Sequence, residues 1–481
     1  MAGLSAGNDG RSKTIEINLI LNILLTVSNI AVPFITFPYV TRVLGPEGVG
    51  RVTFASSVVE YFGMFASLGI PIYGIRAAAE VRHDRKKLGR LVEELLIMNF
   101  ITALVSFAAL YIMILTVPRF YSETKLYVIL STELIFTAFG VEWLYKGVEE
   151  YAYITKRSLV FKILAMVFIF LMVRRREDYA LYALALVISN YVSLLINFFN
   201  IGRHAEMKEK VSPKDIVKHI KPVVVFFAMS AATLIYTNLD TVMLGLMRGD
   251  TEVGYYSSAV KIKGALTGVV CALGAVVLPR LTLFINAGDK KAFSALTRKA
   301  MNFVFMVAIP FIVYFTMYVY DCIIFISGVE FKASVVPMVI SMPIILLVGM
   351  SNVFGIQMLV PLGKEKYVVM SEVAGGVVDI VLNAMLIPGF GCAGAAIGTL
   401  VAEFAVSLVQ YIALGEYRKG IFGGIRILPI MFSVITAGAA AYAIKWFNID
   451  LKVELVLSGI VFFSLYAVMM YSFVIKKEGL F

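Results

Sequence analysis

Apolar residues occur along this chain in blocks of about twenty, and short polar segments separate the blocks. A helix of that length crosses the ~30 Å hydrocarbon core of a bilayer, because each residue rises about 1.5 Å. The pattern therefore predicts an all-α integral membrane fold with about fourteen transmembrane helices. The predicted spans are residues 15–40, 50–74, 92–117, 124–145, 157–173, 179–200, 222–247, 254–284, 300–320, 334–360, 367–388, 392–415, 427–445 and 453–475.

The composition agrees with a membrane protein. Of the 481 residues, 60% are hydrophobic and 16% are charged, whereas soluble domains carry about 25% charged residues. This many apolar residues do not fit into one water-soluble core. The first apolar run, residues 15–40, is too long for the apolar region of a cleavable signal peptide, so we interpret it as the first membrane helix.

Lysine and arginine are distributed unevenly between alternate polar segments. Residues 76–90, 203–221 and 290–299 are strongly basic, and the segments between them carry fewer basic residues. By the positive-inside rule, this asymmetry places both termini in the cytoplasm. It also accounts for the net charge of +11 without a nucleic acid partner. The arginine run at 174–176 falls on the opposite side and is the main exception.

Short sequence elements recur in the same order roughly 200 residues apart. Val49-Gly50 matches Val253-Gly254, Asp84-Arg85-Lys86 matches Asp289-Lys290-Lys291, and residues 192–195 match residues 406–409. The repeat predicts two lobes of six helices, parallel repeats related by a pseudo-two-fold axis along the membrane normal. The predicted lobes are residues 1–200 (helices 1–6) and 222–415 (helices 7–12), joined by a cytoplasmic linker at 201–221, with helices 13 and 14 added at 416–481. Such lobes suit alternating access, in which one lobe rocks against the other.

Two common catalytic motifs are absent from the sequence. It contains no G-x-x-x-x-G-K-[ST] phosphate loop and no H-E-x-x-H motif. Cys271, Cys322 and Cys392 lie in separate apolar stretches without a metal-binding spacing. We therefore expect no enzyme activity, metal or other cofactor, and we treat the chain as a transporter candidate.

Charged residues inside the predicted spans are the candidates for function, because an ionised group in hydrocarbon is costly and usually faces a cavity. Lys261 is the strongest basic candidate, since the small residues Gly264, Ala265 and Gly268 lie near its helix face and leave room for an anionic group. The alternatives are snorkelling to an interface and an ion pair with Asp240. The basic candidates for substrate binding are Lys261, Lys162, Arg42, Arg51, Lys263, Arg280 and Arg76.

Acidic residues inside the spans form a second group. Asp240 lies in the polar stretch 236–241 of the seventh span, where it would hold a proton or sodium ion or pair with Lys261. Glu60, Asp379 and Glu403 are further candidates for a coupling ion or an ion pair. Glu133, Glu142 and Glu372 also lie within or near spans, without a sequence neighbour that suggests a role.

Five segments of the chain resemble the polysaccharide-type (Wzx-like) flippases of the multidrug/oligosaccharidyl-lipid/polysaccharide (MOP) exporter superfamily. They are VLGPEGVG at 43–50, LGIPIYG at 68–74, WLYKGVEEY at 143–151, NLDTVMLG at 238–245 and EVGYY at 252–256. The resemblance extends over nearly the whole chain. It implies fourteen helices in two lobes and outward movement of undecaprenyl-pyrophosphate-linked oligosaccharides for O-antigen or capsule synthesis.

The resemblance also implies a setting and a phosphate site. The expected location is the bacterial cytoplasmic (inner) membrane, the expected state is a monomer, and the expected partners are membrane lipids, the lipid-linked oligosaccharide and polymer-assembly proteins. Related lipid II flippases carry a basic residue upstream of a Leu-Pro-Arg-Leu turn; here LPRL occupies 278–281 and Lys261 falls within about one residue of that position. No arginine occurs between Arg11 and Arg42, which leaves the rest of a phosphate site unassigned.

Three other functions remain open at this point. A multidrug exporter of the same superfamily would favour an acidic or aromatic cavity, whereas the basic residues here favour an anion. A lipid II flippase would carry arginines in the first helix, where this chain has none. A membrane enzyme of polysaccharide assembly would need a long polar loop with acidic residues, and no such loop is predicted.

Overall fold

The structure is a computed structural model that describes residues 6–207, 211–447 and 449–475. The ends of the predicted domains (1–5 and 476–481) and part of the predicted linker (208–210) lie outside the described residues. Regular structure in the described part of the chain is helical, and the chain divides into two compact units, Met1–Ile235 and Tyr236–Phe481.

Among its described residues, unit 1 contains nine α-helices and the first part of a tenth. They are α1 Ala6–Ser67, α2 Ile70–Val81, α3 Arg85–Thr116, α4 Pro118–Tyr121, α5 Thr124–Ala138, α6 Glu142–Gly147, α7 Tyr151–Met172, α8 Tyr179–Val187, α9 Ser193–Phe199 and α10 Pro213–Arg248. A π-helical turn, Ile188–Val192, joins α8 to α9.

Unit 2 begins inside α10 and contains the remaining helices. They are α11 Asp250–Cys271, α12 Gly274–Asn286, α13 Lys290–Met317, α14 Val319–Ser327, α15 Val335–Ser341, α16 Ile344–Ser351, α17 Glu365–Ala413, α18 Ile427–Ala443 and α19 Leu451–Met470. A π-helical segment, Asn352–Leu359, follows α16.

Each of the fourteen predicted spans coincides with helical structure. Among the described residues, 8 helices are long and apolar enough to cross a membrane, and up to 10 if each of two bent pairs is one span. Non-helical glycines divide α1 at Gly45 and α17 at Gly391. Helix α17 therefore contains two predicted spans, and α1 contains the span at 15–40 and most of the span at 50–74, which ends in α2. The predicted spans at 124–145 and 157–173 are not among these helices. Helix α5 is too short, with 15 residues, and α7 is too charged, with three basic residues. The all-α membrane fold is therefore confirmed.

The unit boundary lies at 235/236, inside α10. The predicted lobes, with a linker at 201–221 and added helices at 416–481, stay a prediction. Residues 213–221 of the predicted linker belong to α10, because that helix starts at Pro213 rather than at 222.

The helices of unit 1 assemble around α1, which packs against α3, α5, α7 and α8. Close approach between α2 and α6 depends on a small residue, because a Cβ added at Gly74 would lie 2.5 Å from the Trp143 ring. Helix ends in an apolar medium need internal partners for their carbonyl groups. Asn99 is such a partner at the end of α5, because its Nδ2 atom donates a hydrogen bond to the carbonyl oxygen of Thr137 at 2.6 Å.

Helix α3 begins at the polar turn that the repeat pattern marked. The Asp84 carboxylate accepts hydrogen bonds from the backbone N–H groups of Lys86 and Lys87, both at 3.1 Å. The hydrogen bond from Lys87 contributes most, and together the two bonds hold the pKa of Asp84 below its ordinary value. Asp84 is therefore the N-cap that fixes where α3 starts.

In unit 2, α11 packs against α15, α16 and α17, and α18 and α19 pack together against α13. Tyrosine hydroxyls join the last two helices to the rest of the unit. Tyr314 donates to the carbonyl oxygen of Leu455 at 2.8 Å, and Tyr318 donates to that of Ala441 at 2.8 Å. Lys445 and Asp321 add an ion pair at 3.3 Å. Helices 13 and 14 of the sequence prediction are thus integral to unit 2.

Replacing Gly391 with alanine is expected to destabilise unit 2. Its φ of 55° and ψ of −133° suit glycine, and an added Cβ would lie 2.5 Å from Oε2 of Glu252, which accepts the Cys392 N–H at 2.8 Å. The strain should lower the free energy of unfolding by about 1–3 kcal/mol, read as a lower melting temperature in detergent. Gly389→Ala is the matched control, because a Cβ there meets nothing within 4 Å. Equal melting temperatures for the two variants would contradict the assignment of Gly391 as the obligatory break.

Candidate binding sites

Unit 1 contains a cavity of about 460 Å³. Its lining includes the carboxylates of Glu60, Glu133 and Glu142, and none of the described residues that line it is lysine, arginine or histidine. Ser67, Thr137 and other small or apolar side chains complete the wall. A cavity of this composition attracts a proton or another cation in the region where these carboxylates face it.

Glu133 is the most deeply placed of these carboxylates. Its side chain is 4% exposed, Tyr191 hydrogen-bonds it, and it interacts electrostatically with Glu60. Its Oε1 atom has no hydrogen-bond partner within the described part of the chain. Two carboxylates facing each other in an apolar wall repel when both are ionised, and a shared proton or cation would relieve that repulsion.

Basic residues on α6 and α7 lie close to Glu142 without lining the cavity. Lys162 is 4% exposed, and its Nζ donates to Ser28 Oγ at 2.9 Å and to the side chain of Asn29. Arg157 is 7% exposed and pairs with Glu142 at 2.9 Å. Lys146 pairs with the other oxygen of Glu142 at 2.8 Å. Lys162 was predicted as a site residue, whereas Arg157 was not.

Unit 2 brings together three of the four acidic candidates. Asp240 on α10 is 5% exposed, and its Oδ2 accepts hydrogen bonds from Tyr256 and, at 3.0 Å, from Thr399. Asp379 is 1% exposed, next to Asn383. Glu403 lies one helical turn beyond Thr399 and beside Tyr236. We call Asp240, Asp379 and Glu403 the acidic cluster of unit 2.

The acidic cluster has unfilled hydrogen-bonding capacity. Neither Oδ1 of Asp240 nor Oδ1 of Asp379 has a hydrogen-bond partner among the residues that the structure describes. The half-buried Lys263 interacts electrostatically with all three carboxylates. One lysine for three carboxylates leaves the cluster with excess negative charge, so it is suited to a proton or a small cation. In the described ranges, no group of three or more His, Cys, Asp or Glu side chains could hold a metal ion.

Lys261 and Lys263 lie on different faces of α11. Two residues correspond to a rotation of about 200°, so the two side chains point in nearly opposite directions. Lys263 faces the acidic cluster, and Lys261 is exposed. The glycine one turn from Lys261, Gly264, borders open space, because an added Cβ would meet nothing within 4 Å. The predicted small-residue surface beside Lys261 therefore includes open space at Gly264.

The other basic candidates lie within α1, α2 and α12, and none of them is among the residues that line the cavity of unit 1. Arg51 pairs with Glu47 at 2.5 Å and Glu123 at 3.1 Å. Arg76 is exposed and pairs with Glu80 at 3.4 Å. Arg42 is exposed and donates to the carbonyl oxygen of Pro38 at 2.6 Å, and Arg280 is also exposed. Arg51 and Arg76 thus each have a glutamate partner on their own helix.

Comparison with known proteins adds independent information on the family. The family model described as polysaccharide biosynthesis protein matches residues 17–284, which is more than half of the chain. A protein named "Putative O-antigen transporter" of Escherichia coli (strain K12) is 22% identical over 391 residues, covering 81% of this chain and 94% of the relative. A protein of the same name from Shigella dysenteriae is 23% identical over 394 residues, covering 81% and 98%. The resemblance noted in the sequence is thereby confirmed.

Two solved structures share the fold. The lipid II flippase MurJ in an inward closed conformation has a TM-score of 0.74 at 12% identity, covering 95% of this chain and 99% of that protein. A multidrug resistance MATE transporter of the MOP superfamily, in an inward-facing conformation, has a TM-score of 0.61 at 13% identity, with 82% and 95% covered. At these identities the likeness establishes the fold alone.

Removing the charge of Lys263 is expected to destabilise unit 2, because three carboxylates lose their common cation. For Lys263→Met we expect the free energy of unfolding to fall by about 1–3 kcal/mol. This is less than the cost of breaking a fully buried ion pair, because Lys263 is only half-buried. The melting temperature in detergent measures the loss, and adding Asp379→Asn should recover part of it. Lys291→Met, at an exposed position, is the control. A double variant less stable than Lys263→Met would contradict the electrostatic account.

Proposed function

The chain belongs to the polysaccharide biosynthesis protein family, and from this premise we propose that it is a flippase for lipid-linked sugars. Its substrate would be an undecaprenyl-pyrophosphate-linked oligosaccharide repeat unit, moved across the bacterial cytoplasmic membrane by alternating access for O-antigen or capsule synthesis. The two relatives named as O-antigen transporters support this proposal, since each matches 81% of the chain. The fold shared with a lipid II flippase is consistent with it.

The observation that carries the proposal is ionisable side chains buried within membrane-length helices of both units. Lys162 in unit 1 and Asp240 and Asp379 in unit 2 are each no more than 5% exposed. Burial of charge in hydrocarbon costs several kcal/mol and is retained mainly along substrate or ion pathways. A protein with a purely scaffolding role would not need these residues, and an enzyme would need reactive groups that its sequence does not suggest.

Lys261 is the proposed contact for the anionic diphosphate. It is exposed, and the open space at Gly264, one turn away on the same helix, leaves room for an incoming phosphate. Lys162, Lys263, Arg42, Arg51, Arg76 and Arg280 complete the basic residues that we propose along the substrate path. The polyprenyl tail would remain in lipid while the polar head group crosses.

The carboxylates are the proposed sites of a coupling ion, either H⁺ or Na⁺. Glu60 with Glu133 in unit 1 and the acidic cluster of unit 2 each contain a buried carboxylate oxygen without a described partner. A cation bound there would compensate for the charge that the anionic substrate brings into the membrane. We further propose that the protein acts as a monomer, with both termini in the cytoplasm and polymer-assembly proteins nearby.

A multidrug exporter is the second candidate function, and one observation favours it. The cavity of unit 1 is lined by three carboxylates and no described basic side chain, which suits an organic cation. Accumulation of a cationic dye in everted membrane vesicles separates the two functions. Energy-dependent dye transport that Glu133→Gln abolishes would favour the exporter, and dye transport equal to that of empty-vector vesicles would favour the flippase.

Replacing Lys261 with alanine is expected to abolish flipping and leave membrane insertion intact. Loss of the ammonium removes the proposed contact with the diphosphate, which water cannot replace in the membrane interior. The measurement is the flipping rate of a fluorescent polyprenyl-diphosphate sugar in proteoliposomes, with Lys291→Ala as the control for removal of an exposed lysine. A wild-type rate for Lys261→Ala would exclude this lysine as the phosphate anchor.

Neutralising Asp379 is expected to uncouple transport from the cation gradient. With Asp379→Asn in proteoliposomes, the stimulation of flipping by an imposed H⁺ or Na⁺ gradient should fall by an order of magnitude or more, because the cluster no longer binds the cation. Glu416→Gln, outside the predicted spans, is the control. Persistence of full gradient stimulation in Asp379→Asn would exclude the acidic cluster as the coupling site.

A further inference from the structure

Arg157 is a buried guanidinium with incomplete hydrogen bonding. It lies on α7 and is 7% exposed, and its Nη2 atom pairs with Oε2 of Glu142 at 2.9 Å. Its Nε and Nη1 atoms are buried and have no hydrogen-bond partner in the described part of the chain. Buried polar groups are almost always hydrogen-bonded, and buried charges are nearly always paired. Two donor atoms of this arginine, Nε and Nη1, therefore remain available for an acceptor.

The surroundings of Arg157 carry excess positive charge. Glu142 accepts from Arg157 and from Lys146, whose Nζ lies 2.8 Å from Oε1. Lys162, one and a half turns further along α7, is buried and also interacts electrostatically with Glu142. A single carboxylate thus serves three cations. An additional anion of charge −2 would balance the group.

The position of Glu142 connects this basic group to the cavity. Glu142 lines the cavity of unit 1, whereas Arg157 and Lys162 do not line the cavity. Glu142 is therefore the cavity-lining residue through which Arg157 is connected to the cavity. Carboxylate and phosphate groups bind guanidinium with the same two-point geometry, so one can replace the other.

The other two carboxylates of the cavity, Glu60 and Glu133, limit where an anion can bind. Glu60 and Glu133 repel an anion along their part of the wall, and a proton or cation held between them would reduce that repulsion. The Glu142 edge is the part of the lining whose carboxylate is paired with cations. An anionic group would therefore settle at that edge.

We propose that Arg157 is a binding residue for the diphosphate of the lipid-linked substrate and that Glu142 is its exchangeable counter-ion. In the structure, the Glu142 carboxylate occupies the place of a phosphate. The diphosphate displaces it and gains the free donors of Arg157, with Lys146 and Lys162 supplying further positive charge. The identity of the anion as a diphosphate rests on the proposed function. The existence of an anion site at Arg157 does not depend on that function.

Opposite effects of two substitutions test the proposal. The full-length protein in phosphatidylcholine nanodiscs is titrated with undecaprenyl diphosphate, and separately with inorganic pyrophosphate. Arg157→Gln should weaken binding of both probes at least tenfold, and Arg157→Lys should recover part of the loss. Glu142→Gln should strengthen binding several-fold, because the competing carboxylate is gone. Arg82→Gln is the matched control, since Arg82 also pairs with a glutamate, Glu149 at 2.6 Å, but in an exposed position.

The alternative is that the Arg157–Glu142 pair only stabilises the fold. In that case both Arg157→Gln and Glu142→Gln would lower the melting temperature, and neither would change affinity in the expected direction; this result overturns the proposal. Binding of phosphatidylglycerol that depends on Arg157, with no preference for the diphosphate, would reassign the site to membrane lipid. If inorganic pyrophosphate binds through Arg157 but the lipid-linked sugar is not flipped, the anion site stands and the proposed function fails.

Discussion

An ionised side chain in the middle of a bilayer has no water to solvate it, so its partners must come from the protein or from a bound ligand. Much of the interior of this molecule is arranged around that constraint. Lys162 is buried against Ser28 and Asn29, Arg157 and Lys146 share Glu142, and Asp240 is held by Tyr256 and Thr399. Where the described partners do not suffice, as at Glu133, Asp379 and Arg157, we assign the missing partner to an ion or substrate.

The group around Glu142 in unit 1 and the acidic cluster of unit 2 have opposite surpluses of charge. In unit 1, three cations share one carboxylate, and in the acidic cluster of unit 2, three carboxylates share Lys263. A flippase for an anionic head group driven by a cation needs both kinds of site. Helix breaks such as the one at Gly391 shape the backbone near these groups, since α17 carries Asp379 before the break and Glu403 after it.

Much of the fold could be predicted from the sequence, because hydrocarbon thickness sets the length of each apolar block. The predicted segments are helical even where a helix is short, as in α5, or carries charge, as in α7. Contacts between side chains that are distant in the sequence could not be predicted from it. Helical periodicity separates the faces of Lys261 and Lys263, but only the packing of α10 and α17 against α11 decides that Lys263 meets the carboxylates. Arg157 was overlooked because its partner Glu142 belongs to a different helix, and burial is invisible in a sequence.

The central claim is that this chain moves a diphosphate-linked sugar across a bilayer. The most direct measurement reconstitutes the wild-type protein in liposomes that contain a fluorescent undecaprenyl-diphosphate oligosaccharide and follows the fraction of label that a membrane-impermeant quencher can reach. The account predicts that this fraction rises with time well above the value for protein-free liposomes, and faster under an imposed cation gradient. A fraction that stays equal to that of protein-free liposomes, with folded and correctly inserted protein, would contradict it.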